Sequence, residues 1–226
     1  MVYDFHTHSF LSDGELSPVE LIRRAVVNGY KAIAITDHIG PGNMGRVLKE
    51  LIKECRLAEE YWPITAIPGV ELTHVPAGSI PDLAQEARNS GAELVVVHGE
   101  TLVEPVEPGT NRSAASCPLV DILAHPGLLT EEEARLASAH GVFIEVTARG
   151  GHNVGNGHVV KIGRMVGVNF IVDSDTHQLD NLLTESWAKT VAKGAGLDEA
   201  EVEEVTMENP LKILEIVQTR RGKKIS

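Results

Sequence analysis

Short apolar runs alternate with longer helical patterns along the chain, and most of those runs end on a histidine or a carboxylate. That alternation marks repeated β-α units around a mainly parallel sheet. It predicts seven strands, at 2–6, 31–36, 64–72, 93–98, 119–125, 142–146 and 169–173. Ile33-Ala34-Ile35 and Val95-Val96-Val97 are apolar without interruption, as strands buried on both faces are, so a closed barrel is expected rather than a half-exposed sheet.

Helices between the strands carry their own signals. Ser17, Pro18 and Glu20 read as a capping-box start for a helix that Gly29 ends. Thr130 with Glu133 repeats the device, and His140-Gly141 closes that helix, which gives His140 a structural role. Further helices are predicted at 45–60, 81–90, 157–166 and 183–193, with closing helices at 198–207 and 209–217. Residues 219–226 read as a frayed, solvated basic tail.

With 226 residues and no linker-like stretch, one domain spanning 1–226 is expected. No stretch approaches the apolar length of a membrane span, and Met1 to His6 lacks the basic and apolar regions of a secretory leader, so a cytoplasmic protein is expected. Cys55 and Cys117 stand alone and read as packing residues. The excess of 32 acids over 20 Lys and Arg gives a net charge of -12, which disfavours an extended nucleic-acid track. Divalent cations among clustered acids would reverse that sign locally.

The chain has 10 histidines, and most fall at one kind of place. His6 and His8 follow the first strand with Asp13 in the loop beyond, His38 follows the second, and Glu71, His98 and His125 end the third, fourth and fifth. Asp175 and His177 follow the seventh. In a closed barrel these strand ends share one rim, where such folds build active sites. Burying nine such groups together without a counter-charge costs heavily, and bound metal is the usual compensation. Imidazole and carboxylate donors with no thiolate suit Zn, Mn or Fe.

The blocks His6-Thr7-His8-Ser9, Ser12-Asp13-Gly14, Thr36-Asp37-His38, Pro68-Gly69-Val70-Glu71, His98, His125-Pro126 and Asp175-Thr176-His177 resemble, in order, the PHP (polymerase and histidinol phosphatase) superfamily. The resemblance implies a distorted seven-stranded (β/α)7 TIM-like barrel with C-terminal helices, hydrolysing phosphoesters with three divalent metals. It implies His6, His8, Glu71 and Asp175 around one metal, Glu71 bridging to a second at His98 and His125, and Asp13, His38 and His177 around a third. Glu71, Asp175 and His177 are the residues expected at the reacting centre. The expected nucleophile is a hydroxide bridging the metals at Glu71, since neither cysteine nor a Gly-x-Ser-x-Gly elbow is placed for covalent chemistry.

Arg112, beyond the fourth strand, and Arg149 and His152, beyond the sixth, are the expected substrate contacts, because Arg forks suit phosphate oxygens and neighbouring glycines admit close approach. Asp4 and Asp37, beside ligands, are expected to hold imidazole tautomers. His74 reads as a loop residue, while His152 and His158 are also placed to cap a helix. The expected function is a metal-dependent phosphomonoesterase on a small phosphorylated substrate, in the manner of histidinol phosphatase. The alternatives are a nuclease-like phosphodiesterase on nucleotides or short oligonucleotides, and, ranked lower, a non-catalytic metal-binding module.

Overall fold

Parity along each strand decides which side chains enter the barrel. In the structure, a computed structural model that describes residues 1–223, seven parallel strands run β1 (Val2–Asp4), β2 (Tyr30–Ile35), β4 (Thr65–Leu72), β5 (Leu94–His98), β6 (Ile122–Ala124), β7 (Phe143–Thr147) and β8 (Phe170–Asp173), each paired to the next in that order. A further two-residue strand, β3 (His38–Ile39), pairs with β4. It was not foreseen; it is the tail of the His38 loop laid beside Glu71.

Tyr3, Phe5, Ala32, Ala34, Ile67, Leu94, Val96, Ile122, Ala124, Phe143 and Ile171 point inward and form an apolar plug. The alternate positions, among them Ile33, Ile35, Val70, Val95, Val97 and Val146, point outward and pack under the surrounding helices. Continuing the inward rows by steps of two reaches Glu71 from Ile67, His98 from Leu94, Glu145 from Phe143, and Asp173 and Asp175 from Ile171. The polar site therefore sits directly on the plug, at the C-terminal strand ends.

The barrel closes between β1 and β8 largely through side chains. The Phe5 N–H donates to Asp173 Oδ1 at 2.6 Å and the Ser174 N–H to Asp4 Oδ1 at 3.0 Å, while the backbone joins just past the strands, at the Thr7–Thr176 bridge and where the Glu15 N–H donates to His177 O at 2.8 Å. Two carboxylates thus replace the missing ladder bonds, which buried N–H groups must find somewhere.

Helices α1 (Pro18–Val27), α2 (Met44–Tyr61), α3 (Ile80–Asn89), α5 (Glu131–His140), α6 (Asn156–Val166) and α7 (Glu185–Gly194) lie close to the predicted spans. The Thr130–Glu133 capping box forms in full, and His140 Nδ1 donates to Leu136 O at 2.9 Å. The Ser17 start forms by half: its hydroxyl accepts from the Glu20 N–H, but the Glu20 carboxylate goes to Arg24. A short helix α4 (Thr110–Ala115) lies in what read as loop.

Beneath the plug, α8 (Glu199–Glu203) runs through a π-turn into α9 (Asn209–Lys223), whose Ile213 and Val217 close the barrel floor. The basic tail is a correction over 219–223. These residues continue α9, with Arg220 on Asp121 at 2.7 Å and Arg221 on both Glu59 at 2.8 Å and Glu93 at 2.7 Å. A buried acid, Asp121, and two partly buried ones, Glu59 and Glu93, hold the helix end against the barrel floor, so its charge is used internally. Residues 224–226 lie outside the described residues.

Candidate metal centre

All nine donor residues expected from the sequence meet at the rim. His6 and His8 lie just past β1, Glu71 and His98 within the last turns of β4 and β5, His125 just past β6, and Asp175 and His177 just past β8. Their donor atoms, joined by His152, fall into overlapping groups, within 4.8 Å in each: His6, His8 and Asp175; His6, Glu71 and His125; His8, Asp13, His38 and His177; and His98, His125 and His152. Glu71 lies at the centre, its Oε1 3.2 Å from His6 Nε2 and 3.7 Å from His125 Nε2, its Oε2 3.8 Å from His8 Nε2 and 2.6 Å from His38 Nδ1. Asp13 is the most exposed of the nine, 3.4 Å from His38 Nε2 and 3.2 Å from His177 Nε2.

Four of the rings are held through Nδ1. His6 Nδ1 donates to Glu145 Oε1 at 2.9 Å, His98 Nδ1 to Gly99 O at 3.1 Å and His177 Nδ1 to Asp175 O at 2.9 Å. His38 Nδ1 is held by Thr73 Oγ1 at 2.7 Å as well as by Glu71. A carbonyl or carboxylate can only accept, so a ring bound to one through its Nδ1–H is free to offer the Nε2 lone pair. Among the described residues, His6 Nε2, both nitrogens of His8, Glu71 Oε1, and Nδ1 of His125 and of His152 are buried without a hydrogen-bond partner. Orphaned buried donors and acceptors at this density are costly. Together with the imidazole and carboxylate chemistry, they fit divalent cations.

Electrostatics agree with that fit. Burial opposes ionisation of Glu71 and Asp175, yet the surrounding imidazoles hold both carboxyls below the usual range. Burial alone would also lower His6 and His38, but Glu145 and Glu71 raise the first well above its ordinary value, and Glu71 and Asp13 raise the second to about 10. His8 is lowered by burial to about 4 and His125 well down by burial and by His98. The carboxylates are thus ready for a cation, while His6 and His38 hold protons that a cation would replace.

Backbone strain collects at the same rim. His125 (φ 28), Asp175 (φ 51) and His74 (φ 53) are the only non-glycine residues with positive φ among those described. Strain of this kind clusters where geometry serves a function. The turn after His125 also needs Gly127, at φ 60, because a Cβ there would stand 2.1 Å from Glu100 O.

Several expected contacts are corrected. Arg112, on α4, has its guanidinium on Glu132 at 2.7 Å, turned to α5 rather than to the cluster. Asp37 accepts from the Ser9 N–H, Ser9 Oγ and Ser12 Oγ, and Asp4 from Tyr30 and Ser174; among the described residues neither holds an imidazole. Glu145 performs the task assigned to them, binding His6 through Oε1 and the His125 N–H through Oε2 at 2.8 Å. Sequence reading missed it, although an acid inside the apolar run 142–146 is a usable signal. Arg149 does reach the site, donating from Nη1 to Asp175 O at 3.4 Å. His158 Nε2 donates to Leu129 O at 2.9 Å, pinning α6 to the loop before α5. His74 lies in a loop, as read, but beside His98, with ring centroids 5.6 Å apart.

A family model, that of the PHP domain, matches residues 4–150. The chain belongs to the PHP family. Its members are divalent-metal-dependent hydrolases and include phosphatases and nucleases. Over 219 residues, covering 95% of this chain and 99% of the relative, it is 48% identical to an uncharacterised protein, MJ1295, of Methanocaldococcus jannaschii. It is 26% identical to the DNA polymerase/3'-5' exonuclease PolX of Bacillus subtilis over 198 residues, which is 79% of this chain but 35% of PolX. A protein chain solved by cryo-EM in archaeal ribonuclease P with mature tRNA shares the fold, with a TM-score of 0.72 over 95% of this PHP chain and 91% of that one, at 17% identity.

Proposed function

We propose that this PHP protein is a metal-dependent phosphomonoesterase for a small phosphorylated substrate, with histidinol phosphate representative of the class. The supporting observation is how little positive charge besides imidazole and cation lines the mouth. With Arg112 taken by Glu132, Arg149 is the guanidinium in contact with the clustered donors among the described residues. One fork matches one terminal phosphate. Glu104 and Asp13, both half-exposed at the rim, oppose a polyanionic strand.

Divalent cations, when bound, supply Lewis acidity to a phosphate oxygen and lower the pKa of water. The residues named as their holders are His6, His8, Glu71 and Asp175; His98 and His125 with Glu71; and Asp13, His38 and His177. Arg149, 30% exposed, binds Asp175 O and Asn181 Oδ1 only at 3.4 Å, which leaves N–H groups for the substrate phosphate. Cys55 and Cys117 are buried, Cys55 among the helices of the outer core, so neither is placed to attack phosphorus. Solvent then provides the attacking oxygen: its bond to phosphorus forms as the ester P–O bond breaks, and a proton passes to the departing alkoxide.

A second reading, a nuclease-like phosphodiesterase, draws on the similarity to PolX. A panel of p-nitrophenyl phosphate, histidinol phosphate and short oligonucleotides separates the two. The monoesters are expected to be turned over with the higher kcat/KM, and single turnover in oxygen-18 water should label the phosphate released. Preferred trimming of oligonucleotides would establish the second reading. Full metal loading with no turnover on any substrate would leave a non-catalytic metal module, and a trapped phosphoenzyme would refute solvent attack.

A further inference from the structure

We propose that His152 is a ligand of the second cation, beside His98 and His125, rather than a substrate contact. The proposal rests on the metal-dependent reading above and deepens it. Three observations carry it. His152 opens a 3-10 turn, His152–Gly155, whose Gly155 packs so closely on Gly127 that a Cβ there would stand 3.2 Å from Gly127 O. The turn carrying His152 is therefore fastened to the turn carrying His125. The imidazole stands edge-on to His125, with ring centroids 4.5 Å apart, and one nitrogen from each of His98, His125 and His152 lies within 4.8 Å of the others. Its side chain is 10% exposed, and Nδ1 is buried with no hydrogen-bond partner among the described residues.

The ordinary roles of a rim histidine do not account for these facts. A capping histidine would bond a helix terminus, yet the cap position of this turn is Gly151. A substrate-facing histidine would turn its free nitrogen to solvent rather than bury it. Three rings crowded together with an orphaned nitrogen are what a cation resolves. With Glu71 Oε1 3.7 Å from His125 Nε2, the set becomes three imidazoles and a carboxylate, a four-donor set of the kind zinc takes. Glu104 Oε2, 3.6 Å from His98 Nε2 and 3.9 Å from His152 Nε2, stands over the set from a half-exposed loop. Because the His98 ring is already held through Nδ1 by Gly99 O, Glu104 faces the ligating side of that ring and adds negative charge beside the cation. The second cation is then gripped more firmly than the third, which depends on exposed Asp13.

The test is metal binding to the full chain, read without turnover. Apo-protein is titrated with Zn(II) against a chromophoric chelator, and with Co(II) while the visible d–d bands are followed, for the wild type, His152→Ala, His152→Asn and Glu104→Gln. Wild type is expected to take three ions. Both His152 variants should weaken one of them by at least ~10-fold, with a changed Co(II) spectrum, while the other two sites keep their affinities and so report an intact fold. Glu104→Gln should weaken the same ion by a smaller factor. Unchanged affinities and spectrum in the His152 variants, with only KM raised, would overturn the assignment and return His152 to substrate binding. Failure of the wild type to bind any ion would instead refute the metal-dependent reading itself.

Discussion

His125 and Asp175 occupy left-handed backbone that costs about 1–3 kcal/mol at a non-glycine residue. Glu145 helps to hold the first of them, since one carboxylate oxygen takes the His125 N–H while the other orients the His6 ring. Replacing it with Gln keeps the size but removes the charge. Glu145→Gln is expected to weaken metal binding by about 10- to 100-fold, measured by chelator competition, with the fold retained by circular dichroism. His38→Ala should release mainly the outermost ion, because the other holders of that ion are Asp13 and His177 at the open side of the cluster. The nine donors were legible because each ends or follows a strand, and a barrel gathers strand ends whatever their spacing in sequence. Glu145 was not, because it lies mid-strand, and the inward parity of Phe143, two residues before it, shows which way it points. Arg112 misled for the opposite reason: its loop reaches the rim, but α4 turns the side chain outward.

At the scale of elements, the β1–β8 seam exposes how the barrel tolerates acids in its interior. Burial raises the Asp4 carboxyl from its ordinary 3.8 to about 7, and raises Asp173 well above its ordinary value with Asp4 and Glu145 adding to the effect. A carboxyl raised on folding binds more protons folded than unfolded. Its stabilisation is present in full below pH 3.8 and is lost as pH climbs through about 7. In the chelated protein, Asp4→Asn should therefore flatten the fall in stability between those values, read from urea melts at several pH values. A wild-type slope in the variant would exclude Asp4 as its source. Gly127→Ala should break the fit of three rim loops, since it adds a Cβ against Glu100 O at positive φ; lower yield or a lower Tm with impaired metal binding is expected. Strand order and most helix spans were legible from periodicity. The two-residue β3 and six-residue α4 were not, because elements so short carry no periodic signal and exist by the contacts of their neighbours.

Across the whole molecule, two poles divide the work. The upper rim concentrates acids and imidazoles, while the floor is closed by α9 with Ile213 and Val217 in the plug and Arg220 and Arg221 on floor acids. Ile213→Ala is expected to cost about 2–5 kcal/mol in denaturant melts without changing metal stoichiometry. The tail was misread because composition shows that residues are basic without showing what acids await them on other strands. A net charge of -12 is similarly incomplete as a guide to the site, because three divalent cations would cancel half of it where substrate arrives.

The central claim is that one carboxylate at the barrel's mouth serves two cations together. Metal content of purified, reconstituted protein tests it most directly, by mass spectrometry on wild type and Glu71→Gln. Three ions per wild-type chain and a joint loss of two in the variant are expected. A wild type without bound ions, or a variant that keeps all three, would contradict it.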